Sequence, residues 1–185
     1  MRRLSAAVLL LAACSTAESE DAPFTGQPIA PGGIVGISGL IEVGPRVLLG
    51  GQPTPEGLQS ARHAGVTLVI NVRPESELTF DERQMVESLG MQYVNIPVTT
   101  QTLDDARVEA FVEQLRMLRR RPGSADRVLV HCASGNRVAA LWALYEIAEG
   151  GLPPEEAVAR ARKAGLKSAE LVQFIGDWAQ RHAAK

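Results

Sequence analysis

Cys132 and Arg137 lie five positions apart at the end of a predicted strand, and this spacing can support chemistry on an anion. The strand, Arg127 to His131, runs directly into the loop Cys132-Ala133-Ser134-Gly135-Asn136-Arg137 and then into an apolar helix. A short glycine-containing loop at a helix N-terminus directs backbone N–H groups and the helix dipole at a bound anion. The same field favours the thiolate of Cys132. The loop therefore predicts an anion site with a nucleophile at its base.

The remaining loop residues fit the same site. The planar guanidinium of Arg137 can hold two oxygens of a tetrahedral anion. Gly135 allows a positive φ, and the hydroxyl of Ser134 can bond the sulfur or a leaving group. His131 is expected to pack beneath the loop and orient it. Two plainer interpretations stay open, namely a buried structural thiol at Cys132 and a surface ion pair at Arg137.

The loop sequence HCASGNR resembles the active-site motif H-C-x-x-G-x-x-R of cysteine-dependent protein tyrosine phosphatases. His131, Cys132 and Gly135 match that motif, but Arg137 follows four intervening residues instead of five. The resemblance implies that Cys132 attacks phosphorus and forms a thiophosphoryl enzyme, while residues 133–137 bind the phosphate and Arg137 stabilises the transition state. The six-residue loop is also similar to that of rhodaneses, whose cysteine carries a persulfide.

Two further motifs narrow the resemblance. Gly50-Gly51-Gln52-Pro53 follows the first predicted strand, and Asn71-Val72-Arg73-Pro74-Glu75-x-Glu77 follows the second. Together with the cysteine loop they resemble the bacterial dual-specificity-phosphatase-like domain found at the front of beta-lactamase-hydrolase-like proteins. The resemblance covers Val43 to Leu166. It implies a protein tyrosine phosphatase-like fold.

A phosphatase also needs a proton donor for the leaving group. In the resembling enzymes the donor is an aspartate upstream of the cysteine, and Asp104 and Asp105 lie 28 and 27 positions before Cys132. We prefer Asp104 as the acid, because Asp105 fills a capping-box position after Thr102. The alternative for both is that acids in a first helical turn are favoured by the helix dipole.

Arg73 follows a buried strand. Because parallel sheets bind ligands at the carboxyl ends of their strands, Arg73 is a candidate for the pocket rim. A salt bridge to Glu75 or Glu77 is the alternative.

Short apolar runs alternate with amphipathic segments from Val43 onward, which predicts an α/β domain. We expect a central, mostly parallel sheet of four to five strands flanked by helices. The predicted strands are 46–49, 66–72, 91–98 and 127–131. The predicted helices begin after Thr54, near Thr79, near Thr102, at Arg137, at Pro154 and at Ser168.

The front of the chain predicts export. Two arginines precede an apolar stretch in Met1 to Ser15, which is the pattern of a secretory signal and is too short to span a bilayer. The stretch ends in Leu11-Ala12-Ala13-Cys14, which resembles the lipobox of bacterial lipoproteins. That resemblance implies lipid on Cys14 and an envelope location, at the outer membrane in a Gram-negative cell. The alternative is an ordinary cleaved signal.

Composition sets the domain plan and excludes several classes of protein. The predicted domains are a signal peptide over 1–13, a flexible tether over 14–40 and a phosphatase-like domain over 41–185. Of the 185 residues, 45% are hydrophobic, the net charge is −2 and two are cysteines. These values argue against a disordered chain, a nucleic-acid-binding protein and a disulfide scaffold. His63 and His182 have no neighbours suited to metal binding, so we expect neither a metal nor a cofactor.

Three functions follow from the sequence. The first is hydrolysis of phosphomonoesters through Cys132, with a substrate of unknown class. The second is sulfur transfer through a persulfide on Cys132. The third is anion binding without effective catalysis.

Overall fold

The computed structural model describes residues 27–28, 33–44, 46–120 and 126–182. The predicted signal and its Cys14 lie outside these ranges. The described ranges contain six strands, β1 (Gln27–Pro28), β2 (Ile41–Gly44), β3 (Val47–Gly50), β4 (Val66–Asn71), β5 (Gln92–Asn95) and β6 (Arg127–His131). The helices are α1 (Pro55–His63), α2 (Glu82–Ser88), α3 (Asp105–Arg119), α4 (Asn136–Gly150), α5 (Pro154–Lys163) and α6 (Ala169–His182), with a 3-10 turn at Glu75–Glu77.

The strands form one sheet in the order β1-β2-β3-β6-β4-β5. The last four strands of that order are parallel, whereas β1 and β2 pair antiparallel at one edge. The mostly parallel α/β sheet is therefore confirmed, with the two edge strands as additions. Register pairs His131, at the end of β6, with Gly50 on one side and with Asn71 on the other. The cysteine loop thus leaves the centre of the sheet between the two motifs that follow β3 and β4.

Helices cover both faces of the sheet. One cluster of buried side chains joins α1 and α2 to the sheet, and a larger one joins it to α3, α4, α5 and α6. Helix α4 is buried on nearly every side, since each residue from Val138 to Leu144 is buried. An apolar helix of this kind belongs at the centre of a domain, as its sequence predicted. It anchors the C-terminal end of the cysteine loop in the core.

Two helix starts were predicted wrongly. Thr54 caps α1 as expected, its hydroxyl accepting from Gly57 N at 3.0 Å. The caps of α2 and α3 are Asp81 and Asp104, not Thr79 and Thr102. Aspartate caps a helix at least as well as threonine. Thr102 is used otherwise, because its hydroxyl accepts from Thr99 N in the preceding turn at 2.9 Å.

The packed domain begins before residue 41, within the segment predicted as tether. Ser38 O accepts a hydrogen bond from Gly51 N at 2.8 Å, and Gly36 O accepts one from Thr54 N at 2.9 Å. Leu40 is buried. Residues 33–40 therefore lie along the start of the Gly50–Pro53 motif. Within the described ranges, no helix has the length and apolar character needed to cross a membrane.

Candidate active site

The cysteine loop has the geometry of an anion cradle. Cys132 follows β6 and is 1% exposed, and α4 begins four residues later at Asn136. Gly135 has φ 87°, a conformation that side chains other than glycine rarely adopt. Its N–H donates to Cys132 Sγ at 3.2 Å. The sulfur therefore lies inside the loop, where it accepts a backbone N–H at the start of a helix.

The Gly50–Pro53 motif supports the loop from one side. Cys132 N donates to Gly50 O at 3.3 Å, and Gln52 N donates to Ala133 O at 3.2 Å. Gly51 pairs with Ser134 as an isolated bridge. A Cβ at Gly51 would lie 3.1 Å from Ala133 O, tighter than ordinary contact. The close backbone approach explains why glycine stands at residue 51.

Asn136 ties the loop to the connection between α5 and α6. Its Oδ1 accepts from Lys167 N at 2.7 Å and from Ser168 N at 3.2 Å. The side chain of this predicted phosphate-loop residue is therefore occupied by the protein.

Arg137 is held at one edge of its guanidinium and open at the other. Nη1 donates to Glu77 Oε1 at 3.0 Å and to Val98 O at 2.8 Å, and Nη2 donates to Glu77 Oε2 at 2.7 Å. These bonds use three of the five N–H groups that a guanidinium carries. The remaining two, Nε–H and the second Nη2–H, share one edge and are spaced for two oxygens of a phosphate, and a hydrogen bond with Cys132 also acts on this guanidinium.

The charges around Arg137 match that geometry. Burial by itself lowers the pKa of Arg137, but its interactions with Glu77 and with Cys132, which include a hydrogen bond to each, outweigh that effect, so the pKa is raised. The hydrogen bond from Arg137 is the largest influence on Glu77 and lowers its pKa, with Arg73 adding to the effect. Both groups therefore stay charged at neutral pH.

Arg73 clamps Glu77. It is 9% exposed, and its Nε lies 3.2 Å from Glu77 Oε2. Nη1 and Nη2 donate to Gln52 Oε1 and to Glu77 O. The salt-bridge alternative for Arg73 is thus the one seen, with Glu77 as the partner. Each guanidinium nitrogen of Arg73 donates to the protein, so its link to the loop runs through Glu77.

His131 lies beneath the loop, as the sequence predicted. It is fully buried, and its Nε2 lies 2.5 Å from Oε1 of Glu82, the first residue of α2. The other carboxylate oxygen of Glu82 accepts from Gln52 and from Asn71, each at 3.0 Å. A buried polar network therefore underlies the site.

The two candidate acids face different parts of the molecule. Asp104 Oδ1 caps α3, and its Oδ2 lies 2.5 Å from Nη1 of Arg107, whose Nε donates to Pro97 O. Pro97 precedes Val98, which accepts from Arg137. Asp105 instead pairs with Arg181 and His182 of α6, at 3.0 and 3.7 Å. Asp104 is thus connected to the segment beside Arg137, and Asp105 is directed to the C-terminal helix.

Three residues of the site were not predicted as such, namely Gln52, Glu77 and Glu82. Gln52 and Glu77 belong to motifs already recognised, and those motifs follow strands that flank β6. Because the carboxyl ends of parallel strands meet at one edge, that placement was a usable signal. Glu82 gave no such signal, since a glutamate in a first helical turn is ordinary. In the described part of the chain, no three His, Cys, Asp or Glu side chains are grouped as metal ligands would be.

Comparison with known proteins agrees with this geometry. The family model described as DSP-PTPase phosphatase fused to NAD+ kinase matches residues 42–174. A beta-lactamase hydrolase-like protein of Xylella fastidiosa strain 9a5c is 28% identical over 149 residues, which are 78% of this chain and 32% of the relative. The chain thus spans about a third of the length of that relative.

Solved structures also resemble this chain in fold. A candidate phosphatase from Shewanella putrefaciens CN-32 superposes with a TM-score of 0.64 and 27% identity, over 80% of this chain and 91% of that chain. Pseudomonas aeruginosa TpbA superposes with a TM-score of 0.65 and 18% identity, over 86% and 96%. TpbA has also been solved in complex with pTyr. From its fold, its cysteine loop and the family match, this chain belongs to the DSP-PTPase family found fused to NAD+ kinase, a family of cysteine-dependent phosphatases.

Proposed function

We propose that this protein hydrolyses phosphomonoesters through a thiophosphoryl intermediate on Cys132. The observation that carries the proposal is the open edge of Arg137, which is fixed by Glu77 and Val98 and leaves two N–H groups for phosphate oxygens. The sulfur lies in the same loop, at the start of α4. Donors that are already in place need no reorganisation when charge develops on the phosphoryl oxygens, which is usually the largest single contribution to lowering the barrier.

The reaction has two steps. In the first, the thiolate of Cys132 attacks phosphorus, so that an S–P bond forms while the P–O bond to the leaving group breaks. Asp104 gives its proton to the departing oxygen. In the second step, water attacks phosphorus, the S–P bond breaks and the thiolate returns, while the water proton goes to the Asp104 carboxylate.

The choice of Asp104 over Asp105 is supported by their partners. Asp104 is linked through Arg107 and Pro97 to the segment after β5 that holds Arg137. Asp105 is engaged by α6. The side chain of Asp104 is 52% exposed, so the leaving group would meet it at the mouth of the site.

Phosphatase chemistry is tested by turnover of p-nitrophenyl phosphate by the reduced protein. We expect Cys132→Ser to abolish turnover and Cys14→Ser, the matched change at the other cysteine, to leave it intact. Intact mass spectrometry after an acid quench should show one phosphoryl group on the wild type and none on Cys132→Ser. Since TpbA has been solved with pTyr, a phosphotyrosine peptide is a second substrate to assay.

The six-residue loop makes sulfur transfer the competing function. Formation of thiocyanate from thiosulfate and cyanide, without phosphate release, would replace the phosphatase proposal. If the protein binds phosphate but shows turnover in neither assay, its function would be anion binding without catalysis.

We also propose that the protein acts in the cell envelope, anchored by lipid on Cys14. The support is the sequence of the first 15 residues, which combines a signal pattern with a terminal Leu-Ala-Ala-Cys. Cells fed a clickable fatty acid should label the wild type and not Cys14→Ser. An unlabelled wild type would remove the proposal.

A further inference from the structure

The buried carboxylate of Glu82 is not used by the proposed reaction. The side chains of Glu82 and His131 are both 0% exposed, and they meet at 2.5 Å. Charged groups are rarely buried without a partner, because removing them from water costs several kcal/mol. The presence of Glu82 beneath the loop therefore calls for a function.

One carboxylate oxygen of Glu82, Oε1, lies against the ring of His131. Among the described residues, Glu82 Oε1 and both ring nitrogens of His131 have no conventional hydrogen bond. This contact holds the imidazole of His131 against the carboxylate of Glu82. His131 directly precedes Cys132.

The other carboxylate oxygen connects to the arginine end of the loop. Glu82 Oε2 accepts from Gln52 Nε2 at 3.0 Å, and Gln52 Oε1 accepts from Arg73. Arg73 in turn holds Glu77, which holds Arg137. Asn71 supplies a second path, since its Nδ2 donates to Glu82 and its Oδ1 accepts from Arg73 N at 2.8 Å.

We propose that Glu82 is a positioning residue that sets the nucleophile end and the arginine end of the loop relative to each other. It acts on Cys132 through His131, and on Arg137 through Gln52, Arg73 and Glu77. A chain of buried hydrogen bonds of this kind favours one arrangement because every alternative leaves a buried polar group unpaired. The kinetic test of this inference rests on the proposed phosphatase activity. The NMR test rests only on the 2.5 Å contact between Glu82 and His131.

The kinetic test is Glu82→Gln, which keeps the shape and an acceptor for Gln52 and Asn71 while removing the charge. We expect kcat for p-nitrophenyl phosphate to fall about 10- to 100-fold, the order that a misplaced catalytic group costs, with KM within about threefold. Glu87→Gln, an exposed change on the same helix, is the control and should leave kcat unchanged. In a His131→Asn background, Glu82→Gln should give little further loss, because its route to Cys132 is already broken. A Glu82→Gln enzyme with wild-type kcat, or an undiminished loss in the His131→Asn background, would overturn the proposal.

The second test observes the wild-type protein and does not depend on turnover. The chain has three histidines, so 15N-histidine labelling gives few signals, and His131→Asn assigns one of them. We expect a downfield, slowly exchanging ring N–H proton from His131. Its absence would overturn the positioning contact between Glu82 and His131 even if the protein proves to be an active phosphatase. If the signal is present in a protein that lacks phosphatase activity, the proposed function fails while the contact between Glu82 and His131 stands.

Discussion

Replacing Arg137 by lysine tests whether the guanidinium works as a fork or only as a charge. Lysine keeps the positive charge but presents a compact ammonium in place of two parallel N–H groups. Glu77 and Val98 O would still attract that ammonium, and the edge directed at phosphate would have no replacement. Loss of one preorganised donor to a developing oxyanion costs about 2.7–4 kcal/mol, or about 10²–10³ in kcat.

The same change has a separate effect on stability. The side chain of Arg137 is 12% exposed and that of Glu77 is 33% exposed, so their hydrogen bonds are shielded from water. Lysine cannot make all three of the protein bonds that Arg137 makes, and each charge-assisted bond not replaced costs about 1.5–3 kcal/mol. The free energy of unfolding of Arg137→Lys should therefore fall, and urea denaturation measures it.

Steady-state kinetics on p-nitrophenyl phosphate decide the catalytic part. Arg83→Lys is the matched control, since Arg83 makes an exposed ion pair with Glu87 on α2 and should keep wild-type kcat. We expect kcat of Arg137→Lys to fall about 10²–10³-fold below that of the control. If both variants stayed within threefold of the wild type while Cys132→Ser was inactive, positive charge alone would suffice and the assignment of the open edge to phosphate would be refuted.

Three further outcomes are expected. Asp104→Asn should lower kcat about 10²–10⁴-fold and flatten the pH–rate profile. Stability should change little, because asparagine caps a helix as well as aspartate does. Unchanged kinetics would refute the assignment of Asp104 as the acid. The pKa of Glu77 is lowered, chiefly by Arg137, so the stability it contributes is present above its unfolded value of 4.5 and is lost as pH falls below it. The wild type should therefore exceed Glu77→Gln in urea midpoint by a constant amount near neutrality and by less in acid, whereas a difference independent of pH would contradict this. Gly57→Ala should lower the melting temperature, because the added Cβ would lie 2.5 Å from Gly36 O. Alanine is by itself about 1 kcal/mol better than glycine in a helix. A raised melting temperature would therefore contradict the close contact.

The parts of the fold that follow from local pattern were predictable. Strand β6 and the apolar helix α4 were expected at nearly their observed bounds, because continuous apolar runs on either side of a glycine loop leave few alternatives. The buried residues of α3, from Val108 to Leu118, recur at helical spacing, a local pattern of the same kind. The starts of α2 and α3 did not follow, because a threonine and an aspartate two residues later were both plausible caps.

The site was predictable only where its residues are close in the sequence. Cys132, Gly135 and Arg137 share one loop, and the roles proposed for them follow from it. Glu77 is 60 positions from Arg137, and its pairing depends on which strands are neighbours. Glu82 depends in addition on how α2 packs against the sheet. The local sequence pattern does not predict the contact of Glu77 with Arg137 or that of Glu82 with His131. Both contacts depend on the order of the strands in the sheet.

The bridge that Glu77 makes between two arginines has a consequence for how this site diverges among homologues. Glu77 contacts Arg73 and Arg137 through the same carboxylate, so a neutral residue at 77 would leave two mostly buried guanidinium groups facing each other. A neutral residue at 73 would leave the carboxylate with half of its support. Substitution at any one of the three positions is therefore costly until another changes with it. We expect residues 73, 77 and 137 to co-vary across the family, with the arginine pair and its acid retained together or replaced together.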